Sequence, residues 1–232
     1  MLYDFHSHIL PEVDDGSRSI EQSIAMLDIL RNSGVGTVVA TPHFYYNKTN
    51  VDRFLTKREA AYQRLTEATG EKKGVQIRKG AEVLLTTDIP NLDGLEKLCI
   101  EKTAYILIEL PYSYWSSWVY RAIDEIAFRG LKPIIAHIDR YSWAGDDCIR
   151  KIFDLNCLIQ LNTDAVIDKH IRKKAFKYIK NGEIHLLGSD AHDDKRRPPR
   201  FTEAMEILRK KFGPDIERVF EENSLYVLNN QG

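Results

Sequence analysis

Cysteine is scarce. Cys99, Cys148 and Cys157 are the only three in 232 residues, too few and too scattered for a disulfide framework or a thiolate metal site. An odd count of isolated thiols is what a reducing compartment allows, so a cytoplasmic protein is expected. None of the three opens a Cys-x5-Arg loop, which sets aside cysteine-dependent phosphoryl chemistry; Cys157 lies in an apolar run and reads as core. Charge of one sign is missing too. Thirty-three Lys and Arg against 34 Asp and Glu leave a net charge of −1, which gives no bulk field for nucleic acid or an anionic membrane. No apolar run reaches membrane-spanning length. Asp4 and His6 interrupt the opening stretch, so no signal peptide is expected. There is no low-complexity linker either, and residues 1–232 read as a single domain.

What the chain does have is alternation. Apolar, strand-length runs recur at Tyr3–Ile9, Thr37–Thr41, Val75–Val83, Tyr105–Leu110, Pro133–His137, Cys157–Leu161 and His185–Asp190. Helical patterns separate them: Ser19 as N-cap of a helix through Arg31, then Val51–Thr69, Trp118–Arg129, Asp146–Leu155 and Asp168–Lys180. Ile89–Cys99 is a short helical stretch, and helices near Phe201–Lys211 and Asp215–Asn223 close the chain. Seven strand-helix units predict an α/β fold on a parallel sheet, as a barrel rather than an open sheet.

The polar exceptions carry the chemistry. His6, His8, His43, Glu82, Glu109, His137, Asp190 and His192 each stand at the C-terminal end of a predicted strand or just past it. In an α/β barrel that is the face on which active sites are built. Asp15, in the loop after the first strand, brings the set to nine. Nine donors exceed one tetrahedral zinc site and suit two or three divalent ions sharing bridging carboxylates. Mixed imidazole and carboxylate ligands favour manganese, iron or zinc over magnesium or calcium. Clustered ions of this kind serve hydrolysis at phosphorus. Arg140 stands three residues after His137, and Arg197 seven after Asp190 in the basic run Lys195–Arg200. A guanidinium beside metals can bind phosphate through two parallel hydrogen bonds.

Taken together, His6-Ser7-His8, Asp14-Asp15-Gly16, Thr41-Pro42-His43, Gly80-Ala81-Glu82, Ile108-Glu109-Leu110-Pro111, His137-Ile138-Asp139-Arg140-Tyr141 and Ser189-Asp190-Ala191-His192 resemble the polymerase and histidinol phosphatase (PHP) superfamily. Order and spacing are most similar to its bacterial manganese-dependent protein-tyrosine phosphatases of the capsule and exopolysaccharide type, from Tyr3 to about Leu228. The resemblance implies a distorted, TIM-like (β/α)7 barrel with a trinuclear centre. By position, His6, His8, Glu82 and Asp190 would hold one ion. Glu82, Glu109 and His137 would hold a second, Glu82 bridging, and Asp15, His43 and His192 the third. Arg140 and Arg197 match the family's phosphate-binding arginines. One departure stands out: Ile138-Asp139 replaces the family's usual Pro-Glu.

The implied activity is a metal-dependent phosphoric monoester hydrolase acting on phosphotyrosine in a protein, with a tyrosine autokinase of polysaccharide export as the implied partner. Two rivals stay open: a small-molecule phosphatase of histidinol phosphate type, and a catalytically silent scaffold that binds the kinase. Oligomeric state is open as well. The aromatics of Pro111–Trp118, and Tyr45 and Tyr46, either flank a phosphotyrosine ring, pack a subunit contact or cover the barrel rim. His170 and His185 fit no ligand position and read as structural or exposed.

Overall fold

A computed structural model describes residues 1–70 and 74–229. Strand β1 (Leu2–Ser7) pairs in parallel with β2 (Val35–Ala40), and β2 with β4 (Gln76–Lys79). A second parallel run is ordered β3 (His43–Phe44), β5 (Glu82–Leu84), β6 (Tyr105–Glu109), β7 (Lys132–Ile135), β8 (Leu158–Asn162) and β9 (Leu186–Gly188). Strand β3 takes up the chain just beyond β2, and β5 just beyond β4. Pairing carries across these breaks, since Gly80 N–H donates to Ala40 O (2.8 Å) and Glu82 N–H to Pro42 O (3.1 Å). The expected strand Val75–Val83 is thus two pieces around Gly80-Ala81. The ends of the sheet also meet: Asp190 N–H donates to His6 O (2.7 Å) and His8 N–H to Ala191 O (2.9 Å). The result is a mixed α/β fold on a curled, parallel sheet.

The helices form where capping and apolar spacing coincide. In α1 (Ile20–Asn32) the Ser19 hydroxyl accepts from Gln22 N–H, and Ser23, Met26, Leu27 and Leu30 make the buried stripe. In α2 (Val51–Thr69) Asn50 caps Arg53 N–H at 2.9 Å, and Val51, Phe54, Arg58, Ala61 and Leu65 face inward. Next come α3 (Ser117–Phe128), α4 (Asp146–Phe153), α5 (Thr163–Ile167), α6 (Arg172–Lys180), α7 (Phe201–Phe212) and α8 (Ile216–Asn229). The helix expected over Asp168–Lys180 begins only at Arg172, as α6, and α5, which was not expected, precedes it. The reason is local: the Asp168 carboxylate accepts from His170 N–H at 2.8 Å, a turn that competes with helix continuation. Ile89–Cys99 resolves into two 3-10 turns, Ile89–Asn91 and Leu95–Leu98, and a further one covers Ile138–Ala144.

Two cores result. The larger lies between sheet and helices; the smaller lies inside the curl, from Phe5, Val39, Leu107, Ile134, Ala136 and Leu186, with Val227 of α8 packed into it. Strand β6 shows the alternation: Ile106 and Ile108 belong to the outer core, Tyr105 and Leu107 to the inner. Glu109 continues the inner face, so it emerges at the sheet's C-terminal edge just above an apolar floor.

The loops after β6 and β7 are tied together. The buried Tyr141 hydroxyl accepts from Leu110 N–H at 2.9 Å. Tyr141→Phe leaves that amide without a partner, and the expected loss of unfolding free energy is about 1–3 kcal/mol. Urea titration of the two proteins measures it; equal midpoints would show that the bond contributes nothing.

Candidate metal centre

Every predicted ligand position arrives at one end of the sheet. His6 is the last residue but one of β1 and His8 follows the strand; His43 begins β3, Glu82 begins β5 and Glu109 ends β6. His137, Asp190 and His192 follow β7 and β9. His137 (φ 32°) and Asp190 (φ 51°) hold left-handed backbone that branched or bulky residues avoid, and both deliver their side chains into the centre. Gly16 lets the first loop press on His8, since a Cβ there would lie 2.3 Å from His8 O.

Glu82 is the hub and is fully buried. Its Oε2 lies 2.8 Å from His43 Nδ1, 3.2 Å from His6 Nε2 and 3.3 Å from His8 Nε2, and its Oε1 lies 2.8 Å from His137 Nε2. Asp190 Oδ1 lies 3.3 Å from His8 Nε2 and 3.7 Å from His6 Nε2. Asp15 Oδ1 faces His43 Nε2 at 3.5 Å and His192 Nε2 at 3.7 Å, and Glu109 Oε1 lies 3.8 Å from His137 Nε2. The nine positions fall into four overlapping groups, each with donor atoms within 4.8 Å of one another: His8, Asp15, His43 and His192; His6, His8 and Asp190; His6, Glu82 and His137; His43, Glu82 and Glu109.

The surroundings fix which nitrogens are bare. Gln160 Oε1 accepts from His137 N–H at 2.7 Å, so the 3.2 Å contact with His6 Nδ1 makes that nitrogen the donor. Asp14 Oδ2 holds His8 Nδ1 at 2.7 Å, and Asp190 O holds His192 Nδ1 at 2.9 Å. All three rings therefore turn an unprotonated Nε2 inward in their neutral form. His6 Nε2 and His8 Nε2 lie 3.2 Å apart, and Glu82 Oε2 completes a triangle of lone pairs. Neither Glu82 Oε2 nor His43 Nδ1 makes a hydrogen bond of acceptable geometry, although they are 2.8 Å apart. With the His6 and His8 rings neutral, the lone pairs of the triangle converge on one point, a donor set that fits a cation.

The electrostatics agree. Burial, then the neighbouring Glu82 charge, pushes Glu109 up to about 7. Burial opposes protonation of His8, yet Asp14 and Glu82 outweigh it and carry its pKa to about 10. Burial holds His137 down at about 3, and burial with His8 holds His192 at about 2. His137 and His192 are thus neutral and ready to ligate, while the proton that Asp14 and Glu82 favour on His8 is one that a divalent ion must displace.

Both arginines sit on Asp190. Arg140 pairs with Oδ2, and Arg197 reaches the same oxygen at 3.2 Å. Of the basic run only Arg197 does so; Arg196 contributes its backbone N–H to Asp193 and its side chain is exposed. Ile138 packs in the outer core and Asp139 accepts from Asn162 N–H at 3.0 Å, so the departure at 138–139 anchors the loop to the end of β8. The aromatic stretch divides. Trp115 is buried against Tyr141 and Trp143 and donates to Pro111 O at 2.8 Å. Tyr112 is half-exposed, its ring 6.4 Å from that of His137. Tyr45 stacks on His43 at 4.9 Å. His170 is exposed, and His185 Nδ1 accepts from Ile159 N–H at 3.1 Å, away from the centre.

Sequence reading missed four supporting residues. Gln160 Nε2 donates to Asn162 Oδ1 (2.9 Å) and Asn162 Nδ2 to Asp190 Oδ2 (3.1 Å), a relay beneath the centre. Asp4, pushed up to about 6 by burial, accepts from Ser189 N–H (2.8 Å) and Oγ (2.6 Å) and so locks β1 to the end of β9. Asp14, besides holding His8, accepts from His43 N–H at 2.9 Å. Asp14→Ala frees the His8 ring and is expected to weaken metal retention and turnover by roughly 10- to 100-fold. Competition with a metallochromic chelator beside a turnover assay reads both; unchanged affinity would leave Asp14 a loop residue only.

A family described as capsular polysaccharide synthesis, CpsB/CapC, matches residues 2–229. Tyrosine-protein phosphatase CpsB of Streptococcus agalactiae is 29% identical over 247 residues, covering 99% of each chain. Tyrosine-protein phosphatase YwqE of Bacillus subtilis is 27% identical over 236 residues, covering 99% of this chain and 92% of that one. A solved structure from work on YwqE of Bacillus subtilis and CpsB of Streptococcus pneumoniae, described as metal-dependent tyrosine phosphatases, superposes with a TM-score of 0.84 at 24% identity, over 100% of this chain and 96% of that one. Histidinol phosphate phosphatase of Lactococcus lactis, solved with zinc, L-histidinol and phosphate, superposes with a TM-score of 0.55 at 12% identity, over 96% and 93% of the two chains. These structural likenesses establish the shared fold.

Proposed function

Because the chain belongs to the CpsB/CapC family of capsular polysaccharide synthesis, we propose that it is a metal-dependent protein-tyrosine phosphatase hydrolysing phosphotyrosine monoesters. The observation that carries this reading is the triangle of His6 Nε2, His8 Nε2 and Glu82 Oε2, 3.2–3.3 Å on a side, with two guanidiniums on the adjoining Asp190. The nine grouped residues are its ligands, for two or three ions with manganese favoured and iron or zinc as alternatives. We read the curled sheet as a distorted (β/α)7 barrel and residues 1–232 as one domain. Among the described residues no helix is long and apolar enough to cross a membrane; a cytoplasmic setting and a tyrosine autokinase of capsule export as substrate complete the proposal.

When bound, divalent ions lower the pKa of a water and offset phosphoryl charge. The chain's own residues do the rest. Glu82 gathers four imidazoles within 3.3 Å of its two oxygens. Gln160, Asp14 and the Asp190 carbonyl keep three imidazole lone pairs aimed inward. Arg140 and Arg197 present donors beside Asp190, where phosphoryl oxygens gain charge as the ester bond breaks. A leaving phenolate has a pKa near 10, so the site has less need of a strong acid on that side.

Chelation is expected to abolish hydrolysis of a phosphotyrosyl peptide, and manganese to restore it. Alkylation of thiols should leave most activity, because the thiols of the buried Cys99 and the half-buried Cys157 are pushed up to about 12 and all three cysteines are unpaired. A folded, alkylated protein that is inactive would overturn the assignment. Faster turnover of histidinol phosphate than of the peptide would move the substrate to the small-molecule class.

A further inference from the structure

Beside the metal centre a groove of about 880 Å³ opens between α2, the first loop and the chain after β3. Two candidate ligands, Asp15 and His43, form its inner wall, so it is continuous with the site. Its floor is apolar, from the buried Val13 and Phe54. Its rim is basic, from Lys48, Arg53 and Lys57, all exposed. Resting on the phosphatase reading above, we propose that this groove binds an acidic segment of the substrate chain next to its phosphotyrosine.

Charge complementarity carries the proposal. The carboxylates of α2 nearest the groove are engaged elsewhere: Asp52 with Lys97 at 3.8 Å, Glu59 with Lys79 at 2.8 Å. The wall carboxylates Asp14 and Asp15 turn toward His8, His43 and His192. Among the described residues, Lys48, Arg53 and Lys57 make no ion pair. Lys57 donates to Val13 O at 2.8 Å, and an ammonium keeps two further donors. Lys48 lies over the Tyr45 ring at 4.3 Å, and that ring stacks on His43. The rim therefore begins at the centre with an aromatic wall suited to an aryl phosphate. Spacing adds a register. Arg53 and Lys57 are one helical turn apart, about 6 Å, close to the roughly 6.7 Å between alternate residues of an extended peptide. Carboxylates at alternate positions of the substrate meet both cations.

The test compares three phosphotyrosyl peptides that differ only in two alternate flanking residues: Glu, Gln or Lys. With the metal-loaded protein at low salt, kcat/KM for the Glu peptide should exceed that for the Gln peptide by roughly fivefold to tenfold, the order expected of two exposed charge pairs. The ratio should collapse at 0.5 M salt. In Arg53→Glu/Lys57→Glu the ratio should invert; because it is taken within one protein, a general loss of activity does not affect it. Equal kcat/KM for Glu and Gln peptides, or an unaltered preference in the variant, overturns the groove. Failure of the parent protein to hydrolyse p-nitrophenyl phosphate and all three peptides is instead failure of the phosphatase reading. Fluorescence anisotropy of the labelled Glu peptide then decides the groove alone: salt-sensitive binding lost in the variant supports it, and indifferent binding refutes it.

Discussion

Glu82→Ala is expected to strip metal from the protein and lower turnover of a phosphotyrosyl peptide by about a thousandfold or more, since the ions supply several kcal/mol of transition-state stabilisation. The reason lies in what surrounds it. Four imidazoles stand within 3.3 Å of its two oxygens, and Glu109 crowds the same space. The imidazoles hold Glu82 well below the usual carboxylate range despite complete burial, so it is an anion there at any working pH. If Glu82 bridges two ions, as proposed, alanine removes the negative charge they would share, and ions a few ångströms apart would repel across the gap. Metal per chain, measured beside kcat, reads the two effects together. Full occupancy with normal turnover would mean that Glu82 is no bridge. Glu82→Gln keeps the shape and loses the charge; it should resemble Ala in metal content if charge is the cause.

The second large effect is expected at the arginines. Arg140→Ala and Arg197→Ala should each slow turnover by roughly 30- to 1,000-fold, the loss of about 2–4 kcal/mol of contact with charge that develops on the phosphoryl oxygens. A guanidinium has no lone pair to give a metal, so ions should stay bound. Both side chains rest on Asp190, however, and Arg140 is the more enclosed at 32% exposure against 43%. Metal content must therefore be read beside rate. Retained metal with slow turnover identifies phosphate recognition; lost metal identifies Asp190 as the target of the mutation. Arg197→Lys should rescue poorly, because an ammonium cannot reproduce the fork. Arg196→Ala, on an exposed side chain, is the control and should behave like the parent. A crippled Arg196→Ala beside a healthy Arg197→Ala would assign the wrong arginine.

The positions that converge were legible for a physical reason. A His, Asp or Glu that closes an apolar strand interrupts a pattern, and parallel topology carries all such interruptions to one edge. Asp14 was less legible because its neighbour Asp15 carries the same charge; only the 2.7 Å contact to His8 separates their work. Gln160 left a signal that went unread, being the polar residue within the apolar run of β8. Its work is to orient His6 and the His137 backbone, and no spacing in the sequence expresses such indirect contact. The turn at Asp168 was hidden for a similar cause, since it depends on a local hydrogen bond that competes with the longer period around it.

The inner core has a kinetic consequence. Leu107 underlies Glu109, Ala136 precedes His137, and Leu186 lies on the strand that leads to Asp190; Val227 of α8 packs into the same cluster. The centre thus has an apolar floor, so substrate and products are expected to pass by the open C-terminal edge of the sheet. If the phosphoryl group is held by Arg140 and Arg197 on Asp190, as proposed, the dephosphorylated protein is expected to depart first and inorganic phosphate last. Free phosphate should accordingly compete with substrate, and the rate at which the arginines let it go sets a ceiling on turnover.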